Sequence, residues 1–264
     1  MIVPGINYEN VLNASREKGI SVPETLEKLK LCGYAYLDIK YERLIETPAL
    51  YSVVLSSGMK IRSLFTSDGF LLKNNYGKEL GLLEYAKDKK IPNVMLLYDD
   101  CADGDEKTQL FYLKQNLRHV VNYGAILNVS VSVENFGKGY FSTVESLKNI
   151  LSSVKGLGLT FDCGNFILAD VDPLAAYDEL KEYVSRIHLK DRAYKIRGNE
   201  PITETVSGKK TCVFPLGEGD SRIAEIIKLA GDKVDYCVES DFKGSDNFDV
   251  AVKSANYLYT EICK

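Results

Sequence analysis

Residues 157–191, LGLTFDCGNFILADVDPLAAYDELKEYVSRIHLKD, decide the fold. The run LTFD, Leu159–Asp162, is short and stops on Asp162, as a buried strand would. Pro173 then opens an amphipathic stretch to about Ser185, and a second short strand, Arg186–Leu189, carries His188 near its end. A strand, a crossover helix and a second strand form a parallel unit. Two metal-seeking side chains, Asp162 and His188, stand at matching ends of its two strands.

The same rhythm extends in both directions. Upstream, strands are expected at Ile2–Tyr8, Tyr34–Ile39, Met59–Phe65, Asn93–Tyr98 and Ala125–Glu134. Between them, Ser21 caps a helix with Pro23 in its first turn and Gly33 at its end, and Thr47-Pro48 opens a second helix that stops at Gly58. A third covers Tyr76–Lys89, a fourth ends at Gly124 and a fifth covers Thr143–Val154. Downstream lie a polar segment, Arg192–Lys210, a short extension at Thr211–Pro215, the turn Gly217–Asp220, a helix at Ser221–Ala230, a strand at Tyr236–Glu239 and a helix at Phe248–Ile262.

Eight strands, each followed by a helix, call for a closed parallel sheet. At 264 residues the expected fold is a single-domain (β/α)8 TIM barrel covering residues 1–264. No glycine-rich phosphate fingerprint follows the first strand, which argues against nucleotide binding.

Composition narrows the function classes. The net charge of −4 and pI near 5.4 lack the basic face of a nucleic-acid binder, so a small molecule is the expected partner. MIVPGINYEN has no Lys or Arg ahead of an apolar run, so no secretory leader is expected, and no apolar run nears the roughly 18 residues that span a bilayer. The six cysteines, Cys32, Cys101, Cys163, Cys212, Cys237 and Cys263, form no C-x-x-C pair. They read as reduced thiols of a cytoplasmic protein.

In such a barrel the chemistry sits at the carboxyl ends of the strands. The fifth to eighth strands deliver Glu134, Asp162, His188 and Glu239 there. Each has an ordinary reading of its own: a strand-end glutamate is commonly solvated, Asp162 can cap a turn through Asn165, and His188 can be a satisfied core histidine. Four such coincidences in successive units point instead to a shared cation. Three oxygen donors and one imidazole suit Mn2+, Mg2+ or Co2+ and are compatible with Zn2+.

The segments SVENFG (132–137), LTFDCGN (159–165), RIHLKD (186–191), PLGEGD (215–220) and CVES (237–240) resemble the xylose isomerase-like TIM barrel superfamily of sugar isomerases and epimerases. The similarity is close over the C-terminal half and rests on the βα rhythm alone over the N-terminal half. It implies one divalent metal held by Glu134, Asp162, His188 and Glu239. It also implies that Glu134 and Glu239 exchange a proton beside a polarised carbonyl of a sugar or sugar phosphate, through an enediolate. Many members carry a histidine where this chain has Asn165, and others on the third and fourth strands, where it has none. With His119 and His188 the only histidines, the multi-zinc endonucleases of this fold are disfavoured. His119 is expected in the last turns of the fourth helix, without a catalytic role.

Lys190, Arg192, Asp38 and Asn165 are the expected substrate-binding residues. Lys190 and Arg192 follow His188 directly and would face the pocket, while Asp38, closing the second strand, would hold a sugar hydroxyl. Two other functions fit the same scaffold: a metal-dependent dehydratase of the inosose or dehydroshikimate type, and a non-catalytic sugar-binding barrel. Pairing into a homo-oligomer is common in the superfamily the chain resembles.

Overall fold

The computed structural model describes residues 3–66, 76–97, 105–136, 139–198, 200–240 and 247–262. Cys101, Cys263, Gly137 and Tyr98, the expected end of the fourth strand, lie outside them.

The first half of the chain runs β1 (Gly5–Asn7), α1 (Tyr8–Lys18), α2 (Val22–Leu31), β2 (Tyr36–Lys40), α3 (Tyr41–Glu46), α4 (Leu50–Ser56), β3 (Lys60–Phe65), α5 (Gly77–Asp88), β4 (Asn93–Leu96), α6 (Glu106–Leu127) and β5 (Ser130–Glu134). The second half runs α7 (Val144–Ser153), β6 (Leu157–Asp162), α8 (Cys163–Leu168), α9 (Pro173–Leu180), β7 (Val184–Leu189), β8 (Asp191–Ala193), β9 (Thr203–Glu204), β10 (Lys210–Phe214), α10 (Ile223–Ala230), β11 (Asp235–Val238) and α11 (Asn247–Ile262). Eight strands close a barrel in the order β1-β11-β7-β6-β5-β4-β3-β2, every neighbouring pair parallel. The expected (β/α)8 barrel is the fold.

Local chemistry explains the elements. Ser21 and Asp172 accept hydrogen bonds from the first-turn amides of α2 and α9, each of which also carries proline there. Outward residues such as Val133, Phe161, Ile187 and Leu189 join the large apolar core between sheet and helices.

Several boundaries differ from the sequence reading. The first crossover holds two helices, because Asn7 caps α1 through Glu9 N–H and Gly19 closes it in the left-handed region at φ 64°. The segment from Thr47 is the second of two short helices. Gly124 does not stop α6: a Cβ there would sit 2.7 Å from Val129 O and 2.9 Å from a Val131 methyl. Its glycine serves the close approach of helix to strand, and Asn128, at φ 57°, makes the actual stop. The polar segment after Arg192 supplies two strands of a small antiparallel sheet ordered β8-β10-β9. Among the described residues no helix is long and apolar enough to cross a membrane.

Inside the barrel the side chains are largely polar, where branched apolar residues usually dominate. Asn93 Nδ2 donates to Ser63 Oγ (2.8 Å) and Ser132 Oγ (3.2 Å), and Ser132 shares a hydrogen bond with Thr160 (2.8 Å). This neutral row spans β3 to β6. Across from it runs a charged file: Arg186 Nη1 bonds Asp38 Oδ2 at 3.0 Å, Arg186 Nη2 lies 3.3 Å from Asp235, and Asp235 grips Arg62 at 2.6 Å.

Candidate metal centre

Glu134 and Asp162 end β5 and β6, His188 is the penultimate residue of β7, and Glu239 follows β11. Along β7 the period of two turns Arg186, His188 and Lys190 inward together. One ligand atom from each of Glu134, Asp162, His188 and Glu239 can be chosen so that all lie within 4.8 Å of one another. His188 Nδ1 is 2.7 Å from Glu134 Oε1 and 2.9 Å from Glu239 Oε2. Lys190 Nζ lies 2.8 Å from Asp162 Oδ2 and 2.6 Å from Glu239 Oε1.

The electrostatics of this cluster suit a divalent cation. His188 Nε2 lies 3.1 Å from Asp38 Oδ2; a carboxylate only accepts, so Nε2 must carry the hydrogen. With Nδ1 also protonated, three carboxylates face two positive charges, the imidazolium and Lys190, and one negative charge is left over. A doubly charged ion that replaced the Nδ1 proton would bring the cluster to neutrality. Asp162 Oδ2 is buried with the Lys190 ammonium at 2.8 Å as its partner, and a carboxylate oxygen with one partner keeps a lone pair for such an ion. Hard oxygens with one imidazole and no thiolate fit Mg2+ or Mn2+ well.

The titration shifts follow. Burial raises the Glu134 pKa and outweighs the pull of His188, as expected of the acid whose charge is least compensated. Burial also opposes ionisation of Glu239, but the Lys190 charge and His188 hold its carboxyl well below the usual range. For His188, burial alone would lower the pKa, yet Glu134 and the hydrogen bonds to Asp38, Glu134 and Glu239 push it well above the ordinary value. Lys190 is raised in the same way by Asp162 and then Glu239, against the cost of burial.

Above the cluster opens a cavity of about 230 Å3. Glu134, Glu239, Asn165 and Lys190 line it together with Asn7, Glu9, Asn10 and Lys40, and Phe65, Met95, Leu97 and Phe136 add an apolar wall. A larger groove of about 540 Å3, bordered by Tyr41, Ile45, Thr66 and Leu82, includes none of the four ligands in its lining.

The four expected metal ligands therefore meet, and Lys190 and Asn165 reach the cavity. Asn165 does so while its amide nitrogen donates to Asn135 O (3.0 Å) and its backbone N–H caps on Asp162 Oδ1 (2.8 Å). The ordinary reading of Asp162 as a cap is thus also met: one oxygen caps α8, the other faces Lys190.

Two assignments need correction. Asp38 does not end its strand; it sits midway along β2, wholly buried beneath the ligands, and bonds His188 and Arg186 rather than a hydroxyl in the cavity. Arg192 belongs to β8, pairs with Val213 and is not among the described residues lining the cavity. The chain turns away after Lys190 because the Asp191 carboxylate accepts the N–H groups of Gly217 (2.8 Å), Gly219 (2.9 Å) and Ser221 (3.1 Å). That clasp is the physical content of HLKD followed by LGEGD. His119 also differs from expectation: it lies well inside α6 and stacks on Tyr76 with ring centroids 5.2 Å apart.

The sequence reading missed Asn7, Asn10, Lys40 and Arg186. Asn7 both caps α1 and places its Nδ2 3.4 Å from Glu239 Oε2. Asn10 Nδ2 donates to Ser240 O, tying α1 to the residue after Glu239. Arg186 carried a signal, since it stands two residues before His188 on the same face of one strand.

No family model matches the chain, and no curated protein matches it in sequence. Solved structures do match over nearly the whole length. A probable 3-DHS dehydratase involved in petrobactin synthesis from Bacillus anthracis superposes with a TM-score of 0.74 at 16% identity, covering 98% of both chains. A xylose isomerase-like TIM barrel protein from Mycobacterium smegmatis, in complex with magnesium, gives a TM-score of 0.68 at 16% identity over 91% of this chain and 87% of its own. The fold is that of the xylose isomerase-like TIM barrels. An L-ribulose 3-epimerase has the same barrel, with a TM-score of 0.72 at 13% identity over 99% of this chain and 95% of its own. An epimerase and a probable dehydratase thus share the barrel architecture seen here.

Proposed function

We propose that the protein is a cytoplasmic, divalent-metal-dependent isomerase or epimerase of a small sugar, sugar phosphate or related ketone. The observation that carries this reading is the convergence of Glu134, Asp162, His188 and Glu239, two of which, Glu134 and Glu239, also line the cavity. When bound there, a divalent ion supplies charge that polarises a carbonyl and stabilises a developing oxyanion.

The rest is done by the chain's own groups. Glu134 and Glu239 border the same cavity from β5 and from the end of β11, so one removes the proton beside the carbonyl and the other returns one, passing through an enediolate of the substrate. Lys190, close to Asp162 and Glu239, offers its ammonium to a substrate oxygen. Asn165, fixed by its bond to Asn135, offers its free amide edge. Phe65, Met95, Leu97 and Phe136 present an apolar wall to the substrate.

A dehydratase is the second reading, favoured by the match to the dehydratase from Bacillus anthracis. It shares the first proton abstraction and differs in expelling a β-hydroxyl. Incubating the Mn2+-loaded protein with ketoses, inososes and 3-dehydroshikimate in deuterated water separates the two. Solvent deuterium on an intact carbon skeleton supports isomerisation, and an unsaturated ketone absorbing in the ultraviolet supports dehydration. Binding without exchange or turnover across the panel overturns both.

A further inference from the structure

We infer that Asp38 is the positioning residue of His188, and that Arg186 keeps Asp38 turned toward it; the inference rests on the metal reading of the site above. An imidazole presents one lone pair to a cation, and which nitrogen offers it depends on where the other proton is held. His188 has two faces of opposite use. Nδ1 points at Glu134 and Glu239, and Nε2 points down the barrel at Asp38 Oδ2, 3.1 Å away. The Nε2–H bond to Asp38 fixes both the tautomer and the ring angle, so that the Nδ1 lone pair is aimed into the carboxylate cluster.

Asp38 can do this only if it is itself held. It is wholly buried, and its partner Arg186 is nearly so. The Arg186 guanidinium supplies both the compensating charge and a directed hydrogen bond at 3.0 Å. Arg186 is anchored in turn by Asp235 at 3.3 Å, and the Tyr36 ring lies 5.5 Å from its guanidinium carbon. The barrel interior beneath the metal centre is thus a file of alternating charge that ends on one ring nitrogen.

The atoms of Asp38, His188 and Cys237 also lie within 4.8 Å of one another, a grouping that could be read as a second cation site. Arg186 argues against it. A guanidinium already hydrogen-bonded to Asp38 Oδ2 would repel a metal at that place, and it makes an orienting role the better account of the same atoms.

The chain has two histidines, so labelling the imidazole nitrogens with 15N yields two ring systems. His119, stacked on Tyr76 outside the site, is the internal standard. With Zn2+ as a diamagnetic probe, the unaltered chain should show His188 with hydrogen on Nε2 and a metal-shifted Nδ1. Asp38→Asn should show a mixture of tautomers, and its Mn2+ affinity by calorimetry should fall about 10–100-fold. Unchanged affinity together with an unchanged ring pattern would overturn the inference. Should Asp38→Asn fail to fold because Arg186 is stranded, the double change Asp38→Asn with Arg186→Met removes both charges and carries the same comparison. If the unaltered chain takes up neither ion, the metal reading fails, and the metal-free spectrum decides the rest. An Nε2–H protected from exchange and lost in the Asp38 variant upholds the orienting bond, and its absence refutes it.

Discussion

The two sides of the barrel interior solve the same problem in opposite ways. From β3 to β6, Ser63, Asn93, Ser132 and Thr160 satisfy one another as neutral donors and acceptors. From β2 to β7 and β11, Asp38 and Asp235 are balanced as full charges by Arg186 and, on β3, Arg62. The neutral row is complete in itself and needs nothing from outside. The charged file leads up to a cluster in which three carboxylates crowd one imidazole and one ammonium, an excess of negative charge that a cation of the proposed kind would offset.

Changes on each side should break this contrast in order of size. Arg186→Ala removes the guanidinium partner of buried Asp38 and leaves it only His188, and removing one partner of a buried ion pair costs about 3–5 kcal/mol; urea unfolding should show the loss as a lower midpoint. Glu239→Gln is expected to weaken metal retention and to slow proton exchange by about 10²–10⁴-fold, the range for a lost general acid or base. Exchange at the normal rate in that variant would remove Glu239 from the mechanism. Lys190→Ala should retain its metal while KM rises about tenfold, for the loss of about 1.4 kcal/mol of substrate binding. Loss of metal instead would make Lys190 part of the ion's own support. The smallest effect belongs to the neutral row: Thr160→Val removes one hydrogen bond at about 1 kcal/mol, and Mn2+ uptake should be unaffected.

Much of this was legible in the sequence. Glu134, Asp162, His188 and Glu239 each fall at or near the close of a strand in a regular βα rhythm, so a local pattern sufficed to align them. Asp38 was not legible in its true role because its partners His188 and Arg186 lie on the far side of the closed sheet, and its depth depends on β2 continuing to Lys40. Arg192 misled for a related reason. Adjacency to His188 suggested a shared pocket, yet the bonds from Gly217, Gly219 and Ser221 to Asp191 redirect the chain at that residue. Gly124 signalled a helix end when its lack of a side chain serves packing against Val129 and Val131. What failed to show in the sequence is what depends on contacts between distant segments.

Titration of the purified, metal-free chain with Mn2+ in a calorimeter, beside His188→Ala, tests the central claim most directly. Because His188 holds its proton at neutral pH in the metal-free cluster, uptake near pH 7 should release about one proton per ion and weaken as the pH falls. The account predicts one ion per unaltered chain and a large loss of affinity in His188→Ala. No uptake by the unaltered chain, or equal uptake by the variant, would contradict it.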